Sequence, residues 1–180
     1  MIAPSHGIIW RSHIKDIINE YTGWAKNKSQ ARAVIVYDTM WGSTETIAMA
    51  LYEGLQNEGI PVYLTNIRET HDSDIITQIL DAKLILIGSP TLNNGMMPSI
   101  GGFLTYLKGL RPKNRIGFVF GSYGWGGQAV GQIEQILKDL SWDIPVTALN
   151  INFRPKKEDI DTVRKTASQL AKYLHQQNKK

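Results

Sequence analysis

Three hydroxyl side chains are crowded into one short segment of the chain, Thr39-Met40-Trp41-Gly42-Ser43-Thr44. The segment follows an apolar run at residues 33–37, which predicts a buried strand. It precedes residues 45–56, whose apolar side chains recur at helical spacing. The segment is therefore predicted to form a strand-to-helix turn. Backbone N–H groups at a helix N-terminus attract anions, and the three hydroxyls can add donors.

The turn predicts a phosphate site of a particular kind, because it contains no Lys or Arg and is flanked by Asp38 and Glu45. Neutral donors alone would hold the phosphate, as they hold the terminal phosphomonoester of flavin mononucleotide (FMN), unlike the phosphates of a nucleoside triphosphate. No Lys follows Gly42, so the P-loop pattern is absent, and a single Gly does not make the dinucleotide pattern G-x-G-x-x-G. An ordinary helix cap is the alternative at this point, since Ser and Thr are favoured there.

The composition is that of one soluble domain. The 180 residues are 42% hydrophobic and 20% charged, which is sufficient for a full core. No apolar run approaches membrane-spanning length, and residues 1–10 lack the pattern of a signal peptide. The absence of Cys excludes disulfides and Cys-bound metals, and it favours a cytoplasmic location. The net charge of +4 arises from the two ends, 1–30 and 154–180, which we interpret as solvated surface and not as a nucleic-acid site.

From residue 31 onward, strand-like and helix-like patterns alternate. The predicted strands are 33–37, 62–67, 84–88, 116–120 and 146–151. The predicted helices are 43–57, 73–80, 98–110, 128–140 and 157–175. Nearly continuous apolar strands indicate burial on both faces, hence a parallel α/β sheet covered by helices. Five strands with right-handed crossovers favour a doubly wound, flavodoxin-like sheet of order 2-1-3-4-5 over the longer dinucleotide-binding fold.

Ligands of such sheets bind at the carboxyl ends of the strands, so the loops after strands 1, 3 and 4 should share one site. The loop after strand 3, residues 89–98, is rich in turn formers and offers hydroxyl and amide groups. The loop after strand 4 combines four Gly with Tyr123 and Trp125, which suits a flat ligand better than a core. The predicted ligand residues in these two loops are Pro90, Thr91, Leu92, Asn93, Ser122, Tyr123, Gly124, Trp125, Gly126 and Gly127.

The three loops contain no His, Lys or Cys and no interior Asp or Glu, so they provide no general base, nucleophile or metal cluster. The site can hold a planar phosphorylated ligand, and the chemistry must then belong to that ligand. A basic cluster near strand 4, Arg111, Lys113 and Arg115, is interpreted as a solvated turn and not as a nucleotide pocket.

The wording of the three loops, T-M-W-G-S-T, S-P-T-L-N and S-Y-G-W-G-G, resembles the FMN loops of the carboxyl-terminal flavodoxin domain of flavodiiron proteins (A-type flavoproteins). The resemblance extends over about residues 4–153. It implies that FMN is the cofactor and that the listed loop residues bind it. In this family FMN passes electrons to a diiron centre that reduces oxygen or nitric oxide, and subunits pair head to tail. The electron donor is a rubredoxin-like protein or a flavin reductase.

The segment Pro4 to Arg11 resembles the junction at which the family's metallo-β-lactamase-like domain meets its flavodoxin domain. The family's histidine at the position of His6 ligates iron, but the remaining ligands, spaced like H-x-E-x-D-H, are absent here. We therefore expect no metal in this chain and interpret His6 as a vestige or as the edge of an excised domain. The basic character of the chain, unlike that of free flavodoxins, also favours a domain taken from a larger protein.

Residues 1–30 are predicted to be a connector with one amphipathic helix, carrying Ile14, Ile17, Ile18 and Tyr21 on one face, and residues 31–177 to be the FMN-binding domain. The apolar face of this helix either lies exposed or folds back on the domain. Three functions remain open: an electron-transfer domain that serves an absent diiron centre, an NAD(P)H-dependent FMN quinone reductase, and a cofactor-free interaction module. The first is favoured, because three ligand loops coincide.

Overall fold

The structure is a computed structural model and describes residues 1–177. Six helices and five strands alternate along the chain. The helices are α1 Ile14–Ala25, α2 Ser43–Asn57, α3 Asp72–Asp81, α4 Pro98–Leu110, α5 Gln128–Asp139 and α6 Lys157–Gln177. The strands are β1 Gln30–Tyr37, β2 Val62–Asn66, β3 Ala82–Gly88, β4 Ile116–Tyr123 and β5 Leu149–Asn152.

All five strands lie parallel in one sheet of order β2-β1-β3-β4-β5, which confirms the predicted topology. The central strand β1 shows why the apolar run is continuous. Ala33 and Ile35 contribute to the core on one face of the sheet, while Val34 and Val36 contribute to the core on the other. Because successive side chains of a strand point to opposite faces, a strand covered on both sides must be apolar at every position.

The two faces are covered by different helices. Leu51 and Leu55 of α2 and Leu170 of α6 pack with the first core, whereas α3, α4 and α5 supply the second, for example through Ile79 and Phe103. Because all five strands are parallel, their carboxyl ends lie at one common edge of the sheet, where the loops after β1, β3 and β4 meet. Among the described residues, no helix is both long and apolar enough to cross a membrane.

Two predictions about the end of the sheet need correction. Residues 146–148 are not paired in the sheet, and β5 begins only at Leu149, because Val146 and Ala148 pack against the cores from a loop. Their apolar pattern reflects packing and not strand pairing. The second correction concerns β4, which was predicted to end at residue 120 but continues to Tyr123. Tyr123 is paired in register with Asn152.

The interpretation of Arg115 as part of a solvated turn is also wrong. Its side chain is buried and donates hydrogen bonds to the carbonyl oxygens of Leu80 (2.8 Å) and Lys113 (2.6 Å). Burial lowers the pKa of its guanidinium, and the charge of Asp81 opposes that shift. Arg115 therefore ties the end of α3 to the start of β4, at the amino-terminal edge of the sheet and away from the ligand loops.

The amino-terminal segment docks on the domain through few contacts. Trp24 Nε1 donates to Asp81 Oδ1 at 3.0 Å, and Asn27 Oδ1 accepts from the backbone N–H of Lys113 at 3.3 Å. No residue of α1 is buried, and Ile18 and Tyr21 on its apolar face are exposed. The segment therefore adds little to the core, and its assignment as a connector stays a prediction.

Candidate functional site

A cleft of about 710 Å³ opens at the carboxyl edge of the sheet. This volume is typical of a site for a small organic ligand. The loops after β1, β3, β4 and β5 line it. The lining residues are Met40, Trp41, Ser43, Pro90, Thr91, Asn93, Asn94, Ser122, Tyr123, Gly124, Trp125, Gly126, Phe153 and Arg154.

One end of the cleft is the turn between β1 and α2. Gly42 caps the helix with φ 80°, a left-handed conformation that favours glycine, and its N–H donates to Thr39 Oγ1 at 3.1 Å. Within residues 1–177, the backbone N–H groups of Met40, Trp41 and Ser43 have no hydrogen-bond acceptor. Unpaired donors at the N-terminus of a helix are suited to bind an anion.

Thr44, in the first turn of α2, links this segment to the carboxyl end of β4. It is fully buried, and its Oγ1 lies 2.9 Å from Ser122 Oγ. The Thr44 hydroxyl is predicted from the sequence to be a ligand donor, but in this structure it is buried against Ser122. Of the three hydroxyls in the turn, only that of Ser43 belongs to a cleft-lining residue.

Asp38 stabilises the same turn through contacts with three other residues. It is fully buried, and its Oδ1 accepts from the backbone N–H of Thr39 (2.7 Å) and from Arg68 Nε (2.8 Å). Its Oδ2 accepts a hydrogen bond from the Ser99 hydroxyl of α4. One carboxylate thus connects the turn, the loop after β2 and the start of α4, and Arg68 balances its charge. This role of Asp38 was not predicted from the sequence, in which Asp38 was noted only as a residue that flanks the turn.

We expect Asp38→Ala to lower the free energy of unfolding by about 2–3 kcal/mol, because several donors, including the Thr39 N–H, lose their acceptor. Arg68 is half exposed and becomes hydrated, so its loss of a partner adds little. Urea unfolding would measure the change as a lower midpoint at constant slope. Asp139→Ala is the control, since Asp139 is exposed and, within residues 1–177, its one side-chain hydrogen bond is accepted from Gln135 in its own helix. Equal midpoints for the two variants would contradict the expectation.

The loop after β3 is shaped by a tight turn. Leu92 and Gly95 exchange both backbone hydrogen bonds at 2.9 Å, with Asn93 (φ 47°) and Asn94 (φ 61°) between them in the left-handed region. Asn tolerates that region better than most residues, because its side chain bonds locally. The backbone N–H of Thr91 donates to the Ser122 carbonyl at 3.0 Å, which joins this loop to the next.

Exposed aromatic rings stand around the cleft. Trp41 is 91% exposed and Trp125 is 100% exposed, although both are large apolar side chains. Both line the cleft, together with the half-buried Tyr123. An unpacked aromatic face beside a cleft is a surface on which a flat ring can stack.

The loop after β5 completes the cleft, and sequence analysis missed it. The backbone N–H of Phe153 donates to the Tyr123 carbonyl at 2.7 Å, and Asn152 Nδ2 donates to the Gly124 carbonyl at 2.9 Å. These bonds bring Phe153 and Arg154 to the cleft beside Trp125. Asn94 is the third missed lining residue. The rule that ligands bind at the carboxyl ends of neighbouring strands would have included residues 152–154, had it been applied to strand 5.

Five predicted ligand residues do not line the cleft: Thr39, Gly42, Thr44, Leu92 and Gly127. Each belongs to a segment that shapes the cleft, and its role as a ligand residue stays a prediction. The Gly127 carbonyl, for example, accepts from Asn150 Nδ2 at 2.8 Å, and a Cβ at this position would stand 2.3 Å from that nitrogen. The remaining predicted residues are brought together by the fold.

The cleft suits a ligand that has both an anion and a flat ring. Free N–H groups and the Ser43 hydroxyl lie at one end, and aromatic faces lie on its rim. Among the described residues, the lining side chains include no Asp, Glu, His, Lys or Cys. No group of three or more His, Cys, Asp or Glu able to hold a metal ion occurs within residues 1–177. The free N–H groups and the Ser43 hydroxyl suit the phosphate of FMN, and the aromatic faces suit its ring.

Comparisons with known sequences and structures identify the family of this chain. Residues 35–167 match the flavodoxin family. A nitric oxide reductase of Moorella thermoacetica is 44% identical over 175 residues, which are 94% of this chain and 44% of that protein. The structure of rubredoxin oxygen:oxidoreductase from Desulfovibrio gigas aligns with a TM-score of 0.87 and 37% identity, covering 89% of this chain and 40% of that one.

The flavodiiron protein from Giardia intestinalis aligns with a TM-score of 0.89 and 30% identity, covering 94% of this chain and 43% of that one. The chain thus spans less than half the length of these relatives. The chain belongs to the flavodoxin family and matches the flavodoxin-like part of flavodiiron proteins.

Proposed function

We propose that this chain binds one FMN in the cleft and transfers electrons through it. The observation that carries the proposal is the pairing, within one cleft, of unbonded N–H groups at Met40, Trp41 and Ser43 with the exposed rings of Trp41 and Trp125. A phosphomonoester suits the first group and an isoalloxazine suits the second. Family membership supports the same cofactor.

The residues of the chain bind and orient the cofactor in this proposal. Gly42 and Thr39 hold the turn in the conformation that exposes its N–H groups. The Thr44–Ser122 hydrogen bond joins the turn to the carboxyl end of β4. Bound FMN supplies the redox chemistry, because it accepts and returns electrons one or two at a time. The absence of acid–base side chains among the lining residues supports electron transfer over a reaction on a bound substrate.

We further propose that the electrons pass to a diiron oxygen or nitric oxide reductase centre outside this chain. The names of two relatives, a rubredoxin oxygen:oxidoreductase and a nitric oxide reductase, support this role. A rubredoxin-like protein or a flavin reductase would be the donor, and head-to-tail pairing would bring the FMN of one subunit to the iron of another. Residues 1–30 would then connect the two domains, which is supported by the exposed apolar face of α1.

Titration of the flavin-free chain with FMN tests the proposal. We expect quenching of flavin fluorescence to saturate at one FMN per chain, and the bound flavin to be reduced and reoxidised reversibly. NADH or NADPH alone should not bleach it. Failure to bind FMN would refute the cofactor, whereas rapid bleaching by NAD(P)H without a reductase would support the quinone reductase instead.

A further inference from the structure

Among the described residues that line the cleft, Arg154 is the single charged one. It is exposed, and within residues 1–177 it makes no ion pair or side-chain hydrogen bond. Its position is nevertheless fixed by the backbone, because the preceding residue, Phe153, donates its N–H to the Tyr123 carbonyl at 2.7 Å. Phe153 also adopts φ 58°, a left-handed conformation that few bulky residues take. The chain therefore turns sharply at β5 and presents an unpaired guanidinium at the cleft.

The strand order indicates how far the charge of Arg154 lies from the phosphate end and from the ring end of a ligand in the cleft. Arg154 follows β5, and the anion-binding turn follows β1, with β3 and β4 between them. Three strand spacings separate the two loops by about 14 Å. A phosphate in the turn would therefore lie farther from Arg154 than a ring stacked at Tyr123 and Trp125, which belong to the neighbouring strand β4 and the loop that follows it.

We propose that Arg154 sets the reduction potential of the bound flavin by stabilising its reduced, negatively charged ring. This inference rests on the proposed FMN function. Oxidised isoalloxazine is neutral, and uptake of two electrons and one proton leaves the ring with one negative charge. In the experiment below, dithionite supplies the electrons and water the proton. A nearby positive charge stabilises that product and not the oxidised ring, so it raises the potential.

Lys156 and Lys157 follow Arg154 in the sequence, but neither is among the residues that line the cleft. The turn between β1 and α2 contains no basic residue, and Arg68 is engaged by the buried Asp38. The guanidinium of Arg154 is solvated, which weakens its field, and we therefore expect its removal to shift the redox equilibrium by about tenfold and not more. For a two-electron couple, a tenfold change corresponds to about 30 mV.

The test compares the two-electron midpoint potentials of bound FMN in Arg154→Gln, Arg154→Glu and Arg154→Lys. The Gln variant should be about 30 mV lower than the unaltered chain, the Glu variant lower again, and the Lys variant close to the unaltered chain. Lys172→Gln removes the same charge from an exposed site about 22 Å along α6 from its start, and it should leave the potential unchanged. Affinity for oxidised FMN should change by less than about threefold in all of them.

Riboflavin, present in excess, separates the ring from the phosphate. If Arg154 acts at the ring, the Gln variant lowers the potential of bound riboflavin as much as that of FMN. An unchanged potential in the Gln and Glu variants would overturn the inference while FMN binding, and with it the proposed function, stood. A loss of oxidised FMN affinity that spares riboflavin would also overturn it, because Arg154 would then bind the phosphate. Absence of FMN binding by the unaltered chain would refute the proposed function itself.

Discussion

FMN is expected to bind this chain at least about 100-fold more tightly than riboflavin. The two ligands differ only in the phosphate, which the turn between β1 and α2 would receive. Hydrogen bonds to a charged group contribute roughly 1.5–3 kcal/mol each. The N–H groups of Met40, Trp41 and Ser43 and the Ser43 hydroxyl are available there, so two such bonds suffice for two orders of magnitude. Fluorescence titration of the flavin-free chain with each ligand measures the ratio.

A pair of variants assigns the effect to the turn. Ser43→Ala removes a hydroxyl from a cleft-lining residue and should weaken FMN about tenfold, leaving riboflavin unchanged. Thr46→Ala removes a hydroxyl from the next turn of the same helix, where it already donates to the Gly42 carbonyl at 2.9 Å, and should leave both ligands unchanged. Equal affinities for FMN and riboflavin in the unaltered chain would refute the phosphate site altogether.

The turn was predictable because its determinants are local. A fully apolar strand, a glycine and a run of hydroxyls ahead of a helical pattern lie within residues 33–57, and no distant contact is needed to interpret them. The sheet order was predictable for a related reason, since alternating strands and helices with right-handed crossovers leave few topologies. The residue identities in the β3 and β4 loops could then be assigned to the same edge.

The roles of individual side chains within those loops were not predictable. Whether Thr44 faces a ligand or Ser122, 78 positions away, depends on how two loops pack. The same holds for Asp38, whose partners Arg68 and Ser99 come from separate elements. A hydroxyl or carboxylate in a sequence shows its chemistry but not its partner, because the partner is set by tertiary contacts.

The fourth wall of the cleft was missed for a different physical reason. Only the loops after strands 1, 3 and 4 were assigned to the site, so Asn152 to Arg154, which follow the apolar residues 146–151, were left outside it. In the structure the segment from Val146 packs as a loop before pairing begins at Leu149. Sequence periodicity reports burial, and burial alone does not distinguish a paired strand from a packed loop.

Truncation of both cleft tryptophans, Trp41→Ala with Trp125→Ala, is expected to weaken FMN by two to three orders of magnitude. Stacking of an aromatic side chain on a heterocyclic base contributes roughly 1–3 kcal/mol, and the two indoles are free to provide it from separate loops. Riboflavin should lose as much affinity as FMN, because the ring and not the phosphate is affected. This pattern is the opposite of that expected for Ser43→Ala, so the two experiments test the two ends of the cleft independently.

Matched variants keep the comparison specific. Trp41→Phe with Trp125→Phe retains flat faces and should recover most of the affinity. Tyr106→Ala removes a 43% exposed aromatic ring of α4 that does not line the cleft, and should have no effect. Neither tryptophan contributes to a core, so the double variant should unfold at the same urea concentration as the unaltered chain. If the double Ala variant keeps its FMN affinity, the aromatic rim does not hold the ring, and Tyr123 becomes the residue to truncate next.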